Sequence, residues 1–463
     1  MKGNGKVLIR YGTAITATAY TVGGFGCIVS WTSPALEHFK NNSTDFRMTT
    51  DEISWIAPLL PIGFIIGYLI IPMIINRFDR KWILVFLALP QIASYILIVL
   101  AKDIISIYVA RILGGIGYGS GSSALVVFLS EIATQETRGI FLSFHKMFFS
   151  LGIFFIMFLS TYLPYYYLNF TIIATMSFFA LAFIFMPGSN YFREENEREE
   201  EMNMMLKLSE KGKISNLKND ISKETSGIKN DTIEKVSFNF KIKESSFWKL
   251  VTVRANQRAL IIVILSASQD VLSGHTIVRY FSHQIFTYNE SFLTPAKSSL
   301  FLASIKITSA FICTQVIERV DRKVILFNTL FLGSLGMGII GLFFFLECFK
   351  VDVSYFLWMP IFGICLYEFM LTMGIGNFVN IYLGELFPHN LRGLAITICK
   401  VTSEILSFFS ILMYQIMIGL VNTCVIFWIF AATNIILGLI ILKITPETKG
   451  KSEEEIQILL NAK

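Results

Sequence analysis

NRFDRKWIL at 76–84 returns half a chain later as ERVDRKVIL at 318–326, with Arg77, Asp79, Arg80 and Lys81 in register with Arg319, Asp321, Arg322 and Lys323. A second stretch, SEIATQETRGIFLSFHK at 130–146, returns as GELFPHNLRGLAITICK at 384–400; there Glu131, Arg138, Gly139 and Lys146 match Glu385, Arg392, Gly393 and Lys400. Both pairs stand between long apolar runs. A chain written twice, with its charges kept to the joints between apolar segments, is the layout of a membrane protein made of two related halves.

Composition agrees. Hydrophobic residues make up 54% of the chain, charged residues 16%, and the mean hydropathy is +0.61, too apolar for a soluble domain of this length. The net charge of +6 would suggest nucleic acid only if it formed a dense stripe. Lys and Arg gather instead at the ends of apolar runs, so no nucleic-acid partner is expected. Cys27, Cys313, Cys365, Cys399 and Cys424 fall inside apolar runs and Cys348 in a short loop; neither a zinc site nor a disulfide framework fits, and they read as small apolar filler. GGIGYGSGSS (114–123) is no phosphate loop, because no strand precedes it. Gly115 and Gly119 are four apart, the spacing that lets two membrane helices touch. No catalytic triad, metal set or cofactor motif is present, so the chain does not read as an enzyme.

A bilayer core takes about twenty apolar residues per helix. Twelve runs qualify, near 13–36, 53–75, 82–101, 104–130, 139–163, 167–187, 257–286, 298–317, 324–346, 354–384, 393–418 and 421–443. All should be helical, since lipid offers backbone groups no partner, and Pro58, Pro61, Pro72, Pro90 and Pro360 are expected to mark kinks. This gives an all-α membrane protein with residues 1–187 as a first six-helix bundle, 188–256 as a charged cytoplasmic linker with short helices, 257–445 as a second bundle and 446–463 as a tail. Basic loops alternate with neutral ones, which puts both termini in the cytoplasm of a multi-pass plasma-membrane protein with the lipid bilayer as its solvent. The sequons at Asn41, Asn42 and Asn289 then fall on outer loops, where they would make it a glycoprotein. No cleavable signal peptide is expected.

The repeated R-x-D-R-K turns suggest more than topology. Arg77 and Arg319 can fork onto carboxylates or helix-terminal carbonyls, and Asp79 and Asp321 can take a helix N-terminus. With Arg80, Arg322, Arg111, Glu131, Arg138, Glu318, Glu385, Arg392 and Glu447 they form a candidate charge network. Across the inner face it would hold two bundles together and break in each cycle of a transporter.

Ser33-Pro34, NRFDRK, Arg111 with Glu131, TRG (137–139), LSG (272–274), ERVDRK, GELFP (384–388) with LRG (391–393), and PETKGKSEEEI (446–456) resemble a sugar porter of the major facilitator superfamily. The similarity is greatest to the facilitated trehalose transporters of insects. It implies twelve transmembrane helices in two six-helix bundles, alternating access and a central sugar site. The same resemblance points to Lys146, Asp270, Val271, Thr276, Lys306, Asn377, Asn380, Ser403 and Glu404 as the positions facing the solute. Here the chain departs from its family. Lys146 stands where a sugar-contacting Gln is usual, Asp270-Val271 where Gln-Gln is, Thr276 and Lys306 where Asn is, and Ser403-Glu404 where Asn-Trp is. Asn377, Val379 and Asn380 replace the familiar Pro and Trp, and Pro187-Gly188-Ser189-Asn190-Tyr191 replaces Pro-Glu-Ser-Pro-Arg.

The buried charges carry an argument of their own, because a Lys or Asp at the bilayer centre costs about 2.5–3.5 kcal/mol on insertion scales. Lys306 and Asp270 are too deep to reach the interface, so Asp270 either neutralises Lys306 or Lys146, the favoured reading, or binds substrate or a proton. Lys400 and Glu404, four apart, can pair on one helix face. His145, His275 and His283 read as proton relays or as hydrogen-bonded helix residues, and Glu368 as a pathway carboxylate or the partner of a nearby donor. The expected function is facilitated diffusion of a small polar solute, a sugar of the trehalose or hexose class. A second reading on the same scaffold is a proton-coupled or charged-solute carrier, with protons as a further partner. A third is a solute sensor that does not transport.

Overall fold

In the computed structural model the twelve apolar runs are helices, and the residues described are 11–19, 22–40, 48–75, 77–132, 138–186, 246–287, 293–316, 319–448 and 453–462. We label the long helices α1 (Tyr11–Ser30, extended by Thr32–Lys40), α2 (Thr50–Ile74), α3 (Arg80–Val99), α4 (Ile104–Ile132), α5 (Arg138–Tyr162) and α6 (Tyr165–Ile184). The second six are α7 (Arg254–Thr287), α8 (Pro295–Val316), α9 (Arg322–Cys348), α10 (Ser354–Glu385), α11 (His389–Leu420) and α12 (Thr423–Ile444). Among the described residues eleven helices are long and apolar enough to cross a membrane; α5 adds a twelfth whose apolar part is Met147–Tyr162. Phe86, Leu89, Phe178, Leu181, Phe327, Leu335, Phe409 and Met413 point outward, the exposure expected where lipid replaces water.

The packing repeats with the sequence. In the first six helices α4 packs on α2 and α3, α3 on α6, and α1 on α5; in the second six α10 packs on α8 and α9, α9 on α12, and α7 on α11. The two bundles meet through α5 with α8, α2 with α11, and the outer part of α1 with α7. Exchanging each helix for its partner six places on maps this set of contacts onto itself, as a two-fold axis would. The short helix Glu453–Ala462 docks on the second bundle at the end where α7 begins: Arg258 Nη1 donates to Leu460 O (2.7 Å) and Gln457 Nε2 to Leu386 O (2.8 Å). We call this the terminal end and its opposite the distal end.

The expected glycine contact between α2 and α4 is present. A Cβ on Gly63 would collide with Ile112 O, and one on Gly119 would lie 2.5 Å from Phe64 O. The backbones touch, and any larger residue would force them apart. The prolines divide. Pro72 and Pro90 lie inside helices, while residues 56–58 interrupt α2 at Pro58, between Thr50–Trp55 and Leu59–Ile74, with Pro61 in the turn that follows. Pro360 occupies the first turn of Met359–Met373, where its missing N–H costs nothing, so the kink expected there is not found. The real break in α10 is Gly374. Of the proposed linker only residues 246–256 are described, Ser246–Thr252 as a short helix and Arg254–Asn256 as the first turn of α7; residues 188–245 and the sequons at Asn41, Asn42 and Asn289 lie outside the described residues.

Candidate functional site

One turn of α7 departs from α-helical geometry. Val271–His275 is a π-helical turn, with Gly274 at φ 100°, ψ 0°, a conformation that favours glycine. A Cβ there would also lie 2.8 Å from Phe430 Cδ2 of α12. In a π turn residues five apart share a face, and this brings His275 Nδ1 to 3.2 Å from Asp270 Oδ1. One turn on, Arg279 Nη2 lies 3.0 Å from His275 Nε2. The same Nη2 lies 3.3 Å from His275 Nδ1, so Arg279, which only donates, can serve whichever nitrogen of a neutral ring carries the lone pair.

The next helices complete the group. Lys306 Nζ of α8 is 3.1 Å from Glu368 Oε2 of α10, and His275 Nε2 is 3.8 Å from the same oxygen. Glu368 is wholly buried, and neither of its oxygens has a hydrogen bond of good geometry. Asp270, His275, Arg279, Lys306 and Glu368 therefore form one charged cluster spanning three helices of the second bundle. Neutral bonds fix its frame: Ser273 Oγ meets Tyr367 Oη at 2.7 Å, Gln269 Nε2 donates to Asn434 Oδ1 at 2.8 Å, and Asn434 Nδ2 donates to Ser334 Oγ at 2.9 Å. These tie α7 to α10 and α12, and α12 to α9.

Of the two partners expected for Asp270, Lys306 is corrected, and Lys146 lies outside the described side chains. Lys306 pairs with Glu368, because α8 and α10 are neighbours, while Asp270 is engaged by His275 on its own helix. Arg279 belongs to no motif of the sequence; its spacing of four from His275, inside an apolar run, is the one sign of it there. Among the other positions implied by the resemblance, Val271 and Thr276 are buried. Asn377 Nδ2 donates to Thr372 O (2.7 Å), serving the break at Gly374, and Asn380 is exposed. Ser403 Oγ donates back to Cys399 O (2.9 Å), and Glu404 is half-buried. The Lys146 side chain lies outside the described residues.

The charge network takes a different form from the one expected. Arg80 Nε meets Glu131 Oε1 at 2.7 Å, and Arg322 pairs with Glu385 at the matching place in the second repeat. Each clamp joins two helices of the same bundle, α3 to α4 and α9 to α10, so neither is a bolt across the two halves. Arg77 and Arg319 are exposed. Asp79 does cap its helix, accepting from Lys81 N–H at 3.0 Å, while the Asp321 side chain makes no such bond. Glu447 accepts from Lys323 N–H (3.3 Å), Arg322 also reaches Thr448 Oγ1, and Arg392 donates to Phe387 O (3.3 Å). Glu318 and the Arg138 side chain lie outside the described residues.

Arg111 is corrected as well. It stands at the opposite end of α4 from Glu131, roughly 30 Å away at about 1.5 Å per residue. There its guanidinium donates to Ile28 O (3.3 Å), Ile56 O (3.4 Å) and Thr32 Oγ1, and covers the Trp31 ring at 5.0 Å. Ile28 stands just before the irregular turn of α1 and Ile56 opens the interruption of α2, where helical bonding lapses and carbonyls need a donor.

Contacts between the bundles include a polar group at the distal end. Ser33 Oγ of α1 lies 2.9 Å from Ser282 Oγ and 2.9 Å from His283 Nδ1 of α7, and accepts from His283 N–H at 3.0 Å. Gln415 Nε2 of α11 donates to Ser54 O of α2 at 2.8 Å.

Two bundles joined at a two-fold, holding buried charge, match a known set of proteins. The family model for "Sugar (and other) transporter" covers residues 7–460. The chain belongs to the sugar transporter family. Among relatives, this sugar transporter is 26% identical to the facilitated trehalose transporter Tret1 of Bombyx mori, over all of the chain and 89% of the relative. It is also 26% identical to Tret1 of Apis mellifera ligustica, over 92% of the chain and 84% of the relative. Among solved structures, the inward-open xylose transporter XylE of E. coli superposes with TM-score 0.72 at 17% identity, covering 97% of this chain and 99% of that one. XylE bound to 6-bromo-6-deoxy-D-glucose, described as a proton:xylose symporter, gives 0.71 at 18%, covering 98% and 100%. The sugar transporter thus has the major facilitator fold, and facilitated sugar transport is the activity that fits its family and architecture.

Proposed function

We infer that this transporter carries a sugar of the trehalose or hexose class across the plasma membrane by alternating access, with both termini and the 188–256 segment in the cytoplasm. The observation that carries this reading is the full-length similarity to trehalose transporters on a scaffold whose bundles meet along α1–α7, α2–α11 and α5–α8. Rocking one bundle on the other about these seams would expose a central site to each side in turn. The bundles behave as residues 1–187 and 257–445, and each is stiffened at its terminal end by its own arginine clamp. Solute would enter between them, past α7.

The test is uptake of labelled trehalose, glucose and xylose by transport-deficient cells, normalised to surface protein. Saturable uptake of at least one sugar, competed by its unlabelled form, is expected. Sugar binding without uptake would favour the sensor reading, and antibody access to a terminal tag on intact cells would overturn the orientation.

A further inference from the structure

The charged cluster asks for a use that a neutral sugar does not supply. Sugar hydroxyls both donate and accept, and neutral amides satisfy them; burying two carboxylates, a lysine and an arginine is costly and adds nothing for such a ligand. Ionisable side chains inside a membrane bundle stand by default on ion or proton paths. This set has the gradation such a path needs. The side chain of Asp270 is 27% exposed, that of His275 14%, and that of Glu368 0%. The three follow one another at 3.2 and 3.8 Å, from the wetter face of α7 to the dry centre between α8 and α10.

We propose that Glu368 is a proton-binding site, served from Asp270 through His275, and that sugar movement is linked to its occupancy. This goes beyond the transport reading and rests on it for the sugar. The transfer balances. With the ring proton on Nε2 and Glu368 ionised against Lys306, a proton on Asp270 passes to His275 Nδ1 while the ring gives its Nε2 proton to Glu368 Oε2; the ring ends with its proton on Nδ1, and Arg279 Nη2, which lies within 3.3 Å of both ring nitrogens, then donates to Nε2. Release runs in reverse: Glu368 returns a proton to Nε2 and Nδ1–H gives one to Asp270 and water. The 3.8 Å gap to Glu368 has to close by less than an ångström, and the π turn at Gly274 is the place where α7 can yield.

Protonation has a mechanical consequence. Among the described residues, the charged or titratable groups around Glu368 are Lys306 from α8, Asp270, His275 and Arg279 from α7, and Cys365 and Tyr367 from α10 itself. α9, also packed on α10, carries no titratable side chain between Lys323 and Glu347. Lys306 is the one direct ion-pair partner described for Glu368 besides His275. A neutral Glu368 no longer holds it, which frees α8, the helix that packs on α5 of the other bundle, to shift against α10. A proton at this point would thus bias the equilibrium between the two access states.

Two readouts test this. In purified transporter, pH-difference infrared spectra should show a protonated-carboxyl band that titrates in wild type and is lost in Glu368→Gln. In proteoliposomes with an imposed inward gradient of one pH unit, one proton per sugar supports up to about tenfold accumulation, since one pH unit is 1.36 kcal/mol. Wild type should accumulate its sugar, while Glu368→Gln should only equilibrate it, with exchange of labelled for unlabelled sugar retained. If Glu368→Gln does not reach the membrane, combining it with Lys306→Gln removes the stranded cation and leaves both readouts in place. A titrating band unchanged by the substitution overturns the proposal, and so does wild-type accumulation indifferent to pH alongside normal exchange. Absence of sugar exchange in wild type would instead strike the transport reading, and the infrared band would still decide whether Glu368 binds a proton.

Discussion

Arg80 and Glu131 form at 2.7 Å the same clamp that Arg322 and Glu385 form one repeat later. In both bundles the first residue of the third helix grips the end of the fourth. The first clamp is the drier, with each side chain 9% exposed, against 15% and 29% in the second. Breaking a buried pair by removing one partner typically costs about 3–5 kcal/mol, whereas replacing both is often neutral. Arg80→Ala should therefore lower thermal stability in detergent substantially, Arg322→Ala less, and Arg80→Met with Glu131→Leu should recover most of the loss. Equal melting temperatures for Arg80→Ala and wild type would show that the clamp does not hold the bundle.

Arg111 should tolerate no cationic substitute. Its planar fork serves two backbone carbonyls and Thr32 while its face covers Trp31, a geometry that an ammonium cannot copy. Arg111→Lys leaves at least one buried carbonyl without a donor, at about 1–3 kcal/mol. Reduced surface delivery is expected, with apparent sugar affinity unchanged in the molecules that arrive. Wild-type delivery of the lysine variant would refute the assignment.

The α2–α4 seam gives a steric prediction with an internal control. Gly119→Val places atoms where Phe64 O already lies 2.5 Å from the first carbon, so the helices must separate. Overpacking of this kind costs about 1–3 kcal/mol or more. Gly338→Ala in α9 meets nothing within 4 Å and should be silent. A size-exclusion and melting comparison reads both; a silent Gly119→Val would mean that the seam is looser than drawn.

How far the sequence could be read divides along a physical line. Apolar run length and glycine spacing are one-dimensional signals, and they located the helices and the Gly115–Gly119 contact. The duplicated Arg and Glu were also visible. Whether Arg80 crosses between bundles or stays within one depends on which helices are neighbours, and no single segment records that. The same gap misassigned Lys306: depth along a helix follows from residue count, but its partner Glu368 lies on another helix at similar depth. The π turn was hidden for a further reason. Val271–His275 reads as ordinary helix apart from Gly274, and only the widened turn puts Asp270 and His275 on one face. Arg111 and Glu131 belong to one motif set, which hides that they stand near opposite ends of one long helix.

The last prediction concerns the distal end, where Ser33 joins α1 to α7. Its hydroxyl can accept from His283 N–H and from Ser282, and donate to His283 Nδ1, which accounts for the three contacts within 3.0 Å. The His283 ring then carries its proton on Nε2, facing Glu37 Oε2 at 4.0 Å. Under alternating access this group has to part when the distal side opens. Ser33→Cys with Ser282→Cys, made in a Cys348→Ser background to remove the exposed thiol, sets two sulfurs where the oxygens are 2.9 Å apart. Mild oxidation should lock the distal end and abolish uptake, and reduction should restore it, while each single variant ignores the oxidant. Full uptake by a double variant shown to be cross-linked would mean that α1 and α7 need not separate here, and that the solute passes elsewhere.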